Sequence, residues 1–477
     1  MNWSGLGISS IVTFTLAAML GPAIFGIVTV SLILIMLARH IATLGMTIPL
    51  VQTPDISRLE LASAFWTLVV SGAFVVAIIC ACAGYWGVLN GDALVVDVVR
   101  ALSPLIFIHV IAVVPRSILT RSLDFRSLAR INATAAGIGG VIAVAMVYSE
   151  MGVWSIVALH LVTEIVAAIL IWRVSKFGIT WEWSYENMLR LWKVGSGALL
   201  GQLSAFTNAS GDAAIIGMFV GPVVAGLYRL SNRFVQLLIT LGTRSVAGFT
   251  LPYLSNLQSD PQAFSQRVNR CLFLSGLLSL PAMGIVFGQA DLLALCMGEA
   301  WRPAGISIQM LSIVGAVHAT LLLAPQVLNS LGKSYVSAAF SWTLAFFSIS
   351  SFIVAGNFAI GKPLEEQLAI MSGSRAGVAL IIALPLNILL FSRVLGISVW
   401  GQFKTTAKLW SYGVLAAIVS LMITNCDPLE GHNLIVRLAG YSLSTAVIVA
   451  IALFATSKEF REEWQNFAEY RKNSSRR

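Results

Sequence analysis

Hydrophobic stretches follow one another along this chain with short polar breaks between them, most of them long enough to cross a bilayer. Fourteen can be counted, at about 3–20, 23–47, 61–84, 94–115, 131–148, 153–173, 194–219, 223–247, 268–288, 305–329, 335–356, 368–391, 408–424 and 435–456. A helix rises about 1.5 Å per residue, so roughly 20 apolar residues cover the hydrocarbon core. The pattern predicts an all-α integral membrane protein of about 14 transmembrane helices, with no room for a soluble domain. The first segment is read as a helix and not as a signal peptide, since no Lys or Arg precedes it and no small-x-small cleavage site is evident.

The breaks between segments carry a repeat. Leu20-Gly21-Pro22-Ala23-Ile24-Phe25-Gly26 returns 200 residues later as Val220-Gly221-Pro222-Val223-Val224-Ala225-Gly226, a shared GPxxxG after the first segment of each half. A looser match at an offset of 210 sets Pro115 to Phe125 against Pro325 to Tyr335. Repeats of this size build many transporters. The expected organisation is therefore an N-terminal six-helix lobe (1–173), an interfacial cytoplasmic linker (174–193), a second six-helix lobe (194–391), two additional helices (392–456) and a cytoplasmic tail (457–477). Within the linker, Trp181-Glu182-Trp183-Ser184-Tyr185 sets aromatics beside charges, as suits the membrane surface.

Composition agrees with this reading, because 57% of the 477 residues are hydrophobic, only 11% are charged and the mean hydropathy is +0.86. Soluble domains carry about a quarter charged residues. With the amino terminus inside, 22 of the 30 Lys and Arg fall on the cytoplasmic side, and only Arg302, Lys362 and Arg437 fall outside. That asymmetry predicts cytoplasmic N- and C-termini. It also accounts for the net charge of +9 through topology and anionic lipid, so no nucleic-acid partner is needed. The cysteines, Cys80, Cys82, Cys271, Cys296 and Cys426, are read as buried apolar packing, with a Cys296–Cys426 disulfide as the alternative. HExxH, GxSxG and DxD motifs are missing, and Gly332-Lys333-Ser334 lacks the leading glycine of a phosphate loop because position 327 is Val. The expectation is a protein without enzymatic chemistry, cofactor or metal.

Polar residues inside apolar segments are costly and so are candidates for function. Ser204, Asn208 and Asp212 recur every four residues on one face of the seventh segment. Arg229, Asn232, Arg233, Gln236 and Thr240 share one face of the eighth. Counted from the break at Gly221-Pro222, Asp212 and Arg229 lie at similar depth and could pair, locking the two helices. Alternatively Arg233 and Arg229, with Arg39 and Arg375, face a water-filled cavity and grip an anion through paired guanidinium hydrogen bonds. His160 and Glu164, four apart on the sixth segment, could couple transport to a proton or sodium gradient, while His109 and His318 read as hydrogen-bonded core residues.

Several stretches resemble a known family: LxxxLGPxxFG at the start, Leu123-Asp124-Phe125-Arg126-Ser127-Leu128-Ala129-Arg130, Gly152-Val153-Trp154-Ser155, and Asp212 through Phe234. They are similar to the bacterial polysaccharide transporters, the Wzx-type flippases of the multidrug/oligosaccharidyl-lipid/polysaccharide exporter superfamily. The resemblance covers about residues 15–335, and it departs at Arg229, where the pattern more often has a small residue. It implies two lobes around a central cavity that opens alternately to each side of the bacterial inner membrane. The implied cargo is an undecaprenyl-pyrophosphate-linked oligosaccharide for exopolysaccharide or O-antigen synthesis. Membrane lipids, and the polymerase and export proteins of the same pathway, are the implied partners. The rival readings are an integral-membrane polysaccharide polymerase or ligase and a cation-coupled antiporter of the same fold.

Overall fold

The computed structural model describes residues 3–53, 55–255, 261–321, 327–328, 334–395, 399–429 and 431–456, and among them every regular element is a helix. A chain this apolar must close its backbone hydrogen bonds within each segment, and an open chain does that only as helices. Ten of the described helices are long and apolar enough to cross a membrane; Ser275–Gly288 and Ala304–Thr320 are apolar but shorter. Lys333 and the tail 457–477 fall outside the described residues.

In chain order the elements are α1 (residues 3–20) and α2 (residues 22–42), then α3 (Thr47–Gln52), α4 (Arg58–Asn90), α5 (Leu94–Leu102) and α6 (Pro104–Arg121). α7 (Phe125–Tyr148), α8 (Val153–Ser175), α9 (Tyr185–Val220) and α10 (Pro222–Ser255) follow. Next come α11 (Pro261–Gly288), α12 (Ala290–Leu295), α13 (Ala304–Leu321), α14 (Ser334–Ala359) and α15 (Leu364–Val378). A single π-helical turn, Ala379–Ala383, leads into α16 (Leu384–Leu395), and α17 (Val399–Cys426) and α18 (Leu434–Thr456) complete the chain. The LDFRSLAR stretch earns its Asp locally: Asp124 caps α7, and hydrogen bonds from the Ser127 hydroxyl and amide hold its carboxyl below the usual range.

Both GPxxxG motifs break the helix in the same way. Gly21 has φ 76° and ψ 170°, and Gly221 has φ 93° and ψ 172°, a region that glycine enters without steric cost. Proline then starts the next helix, where its missing N–H is not needed. At each break the chain turns back on itself. Tyr228 reaches Asp212, sixteen residues earlier, at 2.7 Å, a separation that a continuous helix would stretch to about 24 Å. In the first motif Arg39 lies against Glu164 of α8, while the space beside Gly140 of the adjoining α7 is filled by Val12. Val12 and Arg39 thus lie on the same side of Gly21, which makes α1 and α2 a hairpin.

By its contacts the chain forms two compact units, Met1–Arg229 with Ser341–Met371, and Leu230–Phe340 with Ser372–Arg477. This division takes α9 together with the first six segments, past the 173/194 boundary suggested by segment counting. In the first unit, a Cβ on Gly217 of α9 would come 2.7 Å from Val30 of α2 and 2.6 Å from Asn90 at the end of α4. In the second, α17 lies against α11 so closely that a Cβ on Gly284 would come 2.3 Å from the Gly413 carbonyl. The buried Gln289 amide hydrogen-bonds Ser420 of α17 at 3.3 Å and Ser442 of α18 at 2.9 Å, so the last two helices are fastened to this unit. The cysteines depart from expectation: Cys82, Cys296 and Cys426 are exposed, and Cys296 and Cys426 are free thiols. Cys271 lies on α11.

Part of the expected linker is helical. Helix α8 ends at Ser175 and Ser184 caps α9, so the non-helical run within the expected linker is 176–184. Its aromatic residues dock on the first turns of α4. Trp181 stacks on Trp66 with centroids 4.3 Å apart, and the Trp66 indole donates to the Thr180 carbonyl at 2.9 Å. The Trp183 indole donates to Thr67 at 3.1 Å, and the Ser184 amide donates to Ser63 at 2.9 Å. Glu60, buried and shared with the Ser57 capping box, forms an ion pair with Arg190 of α9. Replacing Trp66 by Ala removes a stack worth about 0.5–1.5 kcal/mol and a hydrogen bond worth about 1 kcal/mol. Limited proteolysis in detergent should then cut between 177 and 184 several-fold faster than in the parent protein, and an unchanged rate would show that the connector is held elsewhere.

Candidate functional site

Helices α2, α6 and α8 of the first unit each place one ionisable side chain at a common point. Arg39 Nη2 donates to Glu164 Oε1 at 3.3 Å and stands 2.5 Å from His109 Nδ1, which is itself 2.8 Å from Glu164 Oε1. The residues lie 70, 55 and 125 positions apart in pairs, so only the tertiary fold assembles them. Their side chains are 17–23% exposed, so the cluster is shielded without being sealed. Screening is weaker there than in water, and the ion pair is correspondingly stronger.

Arg116 adds a second cation. It stands two turns beyond His109 on α6, on the same face, and its charge bears on all three members of the cluster. Its Nε is buried and has no hydrogen-bond partner among the described residues. Two arginines against one carboxylate leave the group with an excess positive charge, with imidazole taken as neutral. In sequence Arg116 is one of the 22 Lys and Arg on the cytoplasmic side, and His109 reads as a hydrogen-bonded core residue. The seven-residue spacing from His109 to Arg116 was the available clue.

The structure redistributes the other candidates. Glu164 makes its bonds to Arg39 and His109, while His160 lies one turn earlier on α8. Asp212 does not pair with Arg229; it is buried and accepts from the Tyr228 hydroxyl at 2.7 Å and the Ala213 amide at 2.8 Å. Arg229 instead donates to the Ala209 carbonyl at 3.0 Å and to Ser210 Oγ at 3.3 Å, still across the α9–α10 hairpin. Asn208 donates to the Ser204 carbonyl at 3.1 Å and the Ser341 carbonyl at 3.4 Å, tying α9 to α14. In the second unit, Asn232, Arg233 and Gln236 are half-buried on α10, and Arg375 is half-buried on α15 with its charge bearing on His318 of α13. No group of three His, Cys, Asp or Glu able to hold a metal occurs among the described residues.

The family model described as polysaccharide biosynthesis protein matches residues 15–305. The chain belongs to that family. The succinoglycan biosynthesis transport protein ExoT of Rhizobium meliloti is 24% identical to this polysaccharide biosynthesis family member over 66% of the chain and 65% of ExoT, just under two thirds of that protein. The lipopolysaccharide biosynthesis protein WzxC of Escherichia coli is 22% identical over 74% of the chain and 73% of its own length. The probable flippase AglR of Haloferax volcanii is 26% identical over 53% of the chain and 52% of its own. In fold, the lipid II flippase MurJ in its inward closed conformation superposes with a TM-score of 0.73 at 12% identity, over 94% of this chain and 98% of MurJ. An inward-facing multidrug resistance MATE transporter gives 0.64 at 12% identity, over 82% and 96%. ExoT, AglR, MurJ and the MATE protein are named as transport proteins or flippases, and Arg39, His109, Arg116 and Glu164 all lie in the stretch that the family model matches.

Removing one partner of a shielded ion pair strands the other charge, whereas removing both does not. Glu164→Ala and Arg39→Ala should each lower the melting temperature in detergent, and the double variant should recover part of the loss. The expected coupling is about 0.5–3 kcal/mol, and strictly additive losses would deny the pair.

Proposed function

We propose that this protein is a flippase that carries an undecaprenyl-pyrophosphate-linked oligosaccharide repeat unit from the cytoplasmic to the outer leaflet of a bacterial inner membrane, by alternating access, for exopolysaccharide or O-antigen synthesis. Fourteen spans in two six-helix lobes plus two added helices, both termini cytoplasmic, belong to the same proposal. So do a polymerase and export proteins as partners in the pathway.

The observation that carries it is the excess positive charge at Arg39, Arg116, His109 and Glu164, with Arg116 Nε buried and without a hydrogen-bond partner among the described residues. A pyrophosphate offers anionic oxygens that guanidinium groups can bind through two parallel hydrogen bonds. A positively charged site favours such a cargo over a cationic drug. Family membership and the names of the relatives support the same direction. Arg233, Arg229, Asn232, Gln236, Asn208, Asp212 and Arg375 are proposed as further contacts for pyrophosphate and sugar, and Glu164 with His160 as the site that couples the cycle to an ion gradient.

Deleting the protein tests the step itself. Lipid-linked repeat units should accumulate on the cytoplasmic face; accumulation on the outer face would indicate a polymerase or ligase, and no accumulation would favour an antiporter.

Alanine variants of the arginines test the site. A charge-assisted hydrogen bond is worth about 1.5–3 kcal/mol, so Arg116→Ala and Arg233→Ala should each reduce polymer export at least about tenfold at equal protein level. Normal export from well-inserted variants would remove those residues from the cargo path.

A further inference from the structure

The second unit carries an apolar groove apart from the charged cluster of the first. Helices α11, α13 and α17 line it with side chains that include Leu280, Met283, Phe287, Ile313, Val414 and Ile418, and its volume is about 310 Å³. Gly284 and Gly413, the glycines at which α11 and α17 approach closest backbone to backbone, line it too. Val414 and Ile418 are exposed, so the groove opens outward along α17. Outside a membrane-crossing helix lies hydrocarbon.

Length and width narrow the occupant. Along α17 the lining runs from Trp410 to Leu421, about 16 Å of helix, which is half of the roughly 30 Å hydrocarbon core. That is the reach of a chain from one leaflet. Spread over this length the volume leaves a cross-section of about 20 Å², against roughly 80 Å² for a helix 10 Å across. A run of methylenes fits, and a partner helix does not. A polyprenyl chain is a poorer match, since it carries methyl branches at regular intervals and is far longer than the groove.

The end at Trp410 supplies the polar features of a headgroup site. The Trp410 indole Nε1 is buried without a hydrogen-bond partner among the described residues, whereas Ser312, also in the lining, spends its hydroxyl on the Gln309 carbonyl at 2.6 Å. Trp410 follows Lys404 and Lys408 on α17, at the end that the Lys and Arg distribution assigns to the cytoplasm. Lys404 Nζ stands 5.5 Å from the Trp400 ring, which stacks on Phe403, and both rings are exposed. Exposed aromatics beside lysines mark the headgroup level of a bilayer, where anionic lipid is attracted.

We propose that this groove binds one glycerophospholipid of the inner leaflet: an acyl chain lies between α11, α13 and α17, its ester carbonyl accepts the Trp410 indole N–H, and its phosphate faces Lys404. The site concerns neither cargo nor cycle, so it stands or falls apart from the flippase reading.

The full-length protein in nanodiscs of phosphatidylethanolamine and phosphatidylglycerol tests it, with a trace of phosphatidylglycerol that bears a photoreactive diazirine on one acyl chain. After illumination, peptide mapping should find residues 410–421 labelled about tenfold more than the lipid-facing stretch of α7 around the exposed Val141. Ala417→Phe fills the groove and should bring α17 down to the level of α7. Val414→Trp fills it from the lipid side and should do the same, which covers the case that one variant fails to insert. Trp410→Phe keeps a ring but removes the N–H, and should lower the excess about threefold to fivefold. Equal labelling of α7 and α17 in the parent protein, or an excess that survives the filling substitutions, would overturn the site. Unlabelled phosphatidylglycerol should chase the excess label and the same amount of undecaprenyl phosphate should not; the reverse order would overturn the phospholipid assignment.

Discussion

A polypeptide inside hydrocarbon has no water to satisfy its backbone, and every other feature of this protein is arranged around that constraint. It forces helices, and it makes each interruption a place where some other group must take over. Two interruptions are handled by Gly-Pro, where glycine accepts the reversed backbone and proline begins a helix with no N–H to leave unpaired. The same economy governs the charges. Glu164 is met by Arg39 and His109, and Asp212 by Tyr228 and a backbone amide.

That economy also separates holding from binding. Asp212 spends its acceptors on closing the α9–α10 hairpin, and Asn208 spends its amide on the Ser204 and Ser341 carbonyls, so both act first as fasteners. Arg116 Nε has no such employment among the described residues. A buried guanidinium nitrogen without a hydrogen-bond partner is costly, and a ligand that supplies the partner recovers part of the cost. The polar stripe of α9 and the cluster around Glu164 look alike as lists of residues, yet they differ in whether their hydrogen-bonding capacity is already used.

Much of the fold was legible because its signals are local. Segment length, the glycine-proline breaks and the run of arginines in the loops need only neighbouring residues to be read, and the hairpin at Gly221 follows from its own spacing. The site was less legible. Asp212 and Arg229 lie at similar depth, but a step of one residue, about 100° around α10, hands Asp212 to Tyr228, and depth counting does not contain rotation. Arg39, His109 and Glu164 come from helices far apart in the chain, and their convergence depends on how α2, α6 and α8 pack. Arg116 was hidden by its position, since a positive residue near a helix end has a sufficient topological explanation. Within the expected linker, Tyr185 to Lys193, although aromatic and charged, are already helical, which composition alone does not reveal.

The repeat has a further implication when its skeleton is set against its chemistry. Residues 200 or 210 positions after Arg39, His109 and Glu164 are Ile239, Ala319 and Ser374, so the turn recurs at these offsets and the cluster does not. Both copies share the Gly-Pro turn, while the Arg39–His109–Glu164 cluster lies in the first alone. Two similar levers, only one of them bearing this grip, would feel the same bound molecule unequally, and a cycle built on them would have an inherent direction in which half leads and which follows.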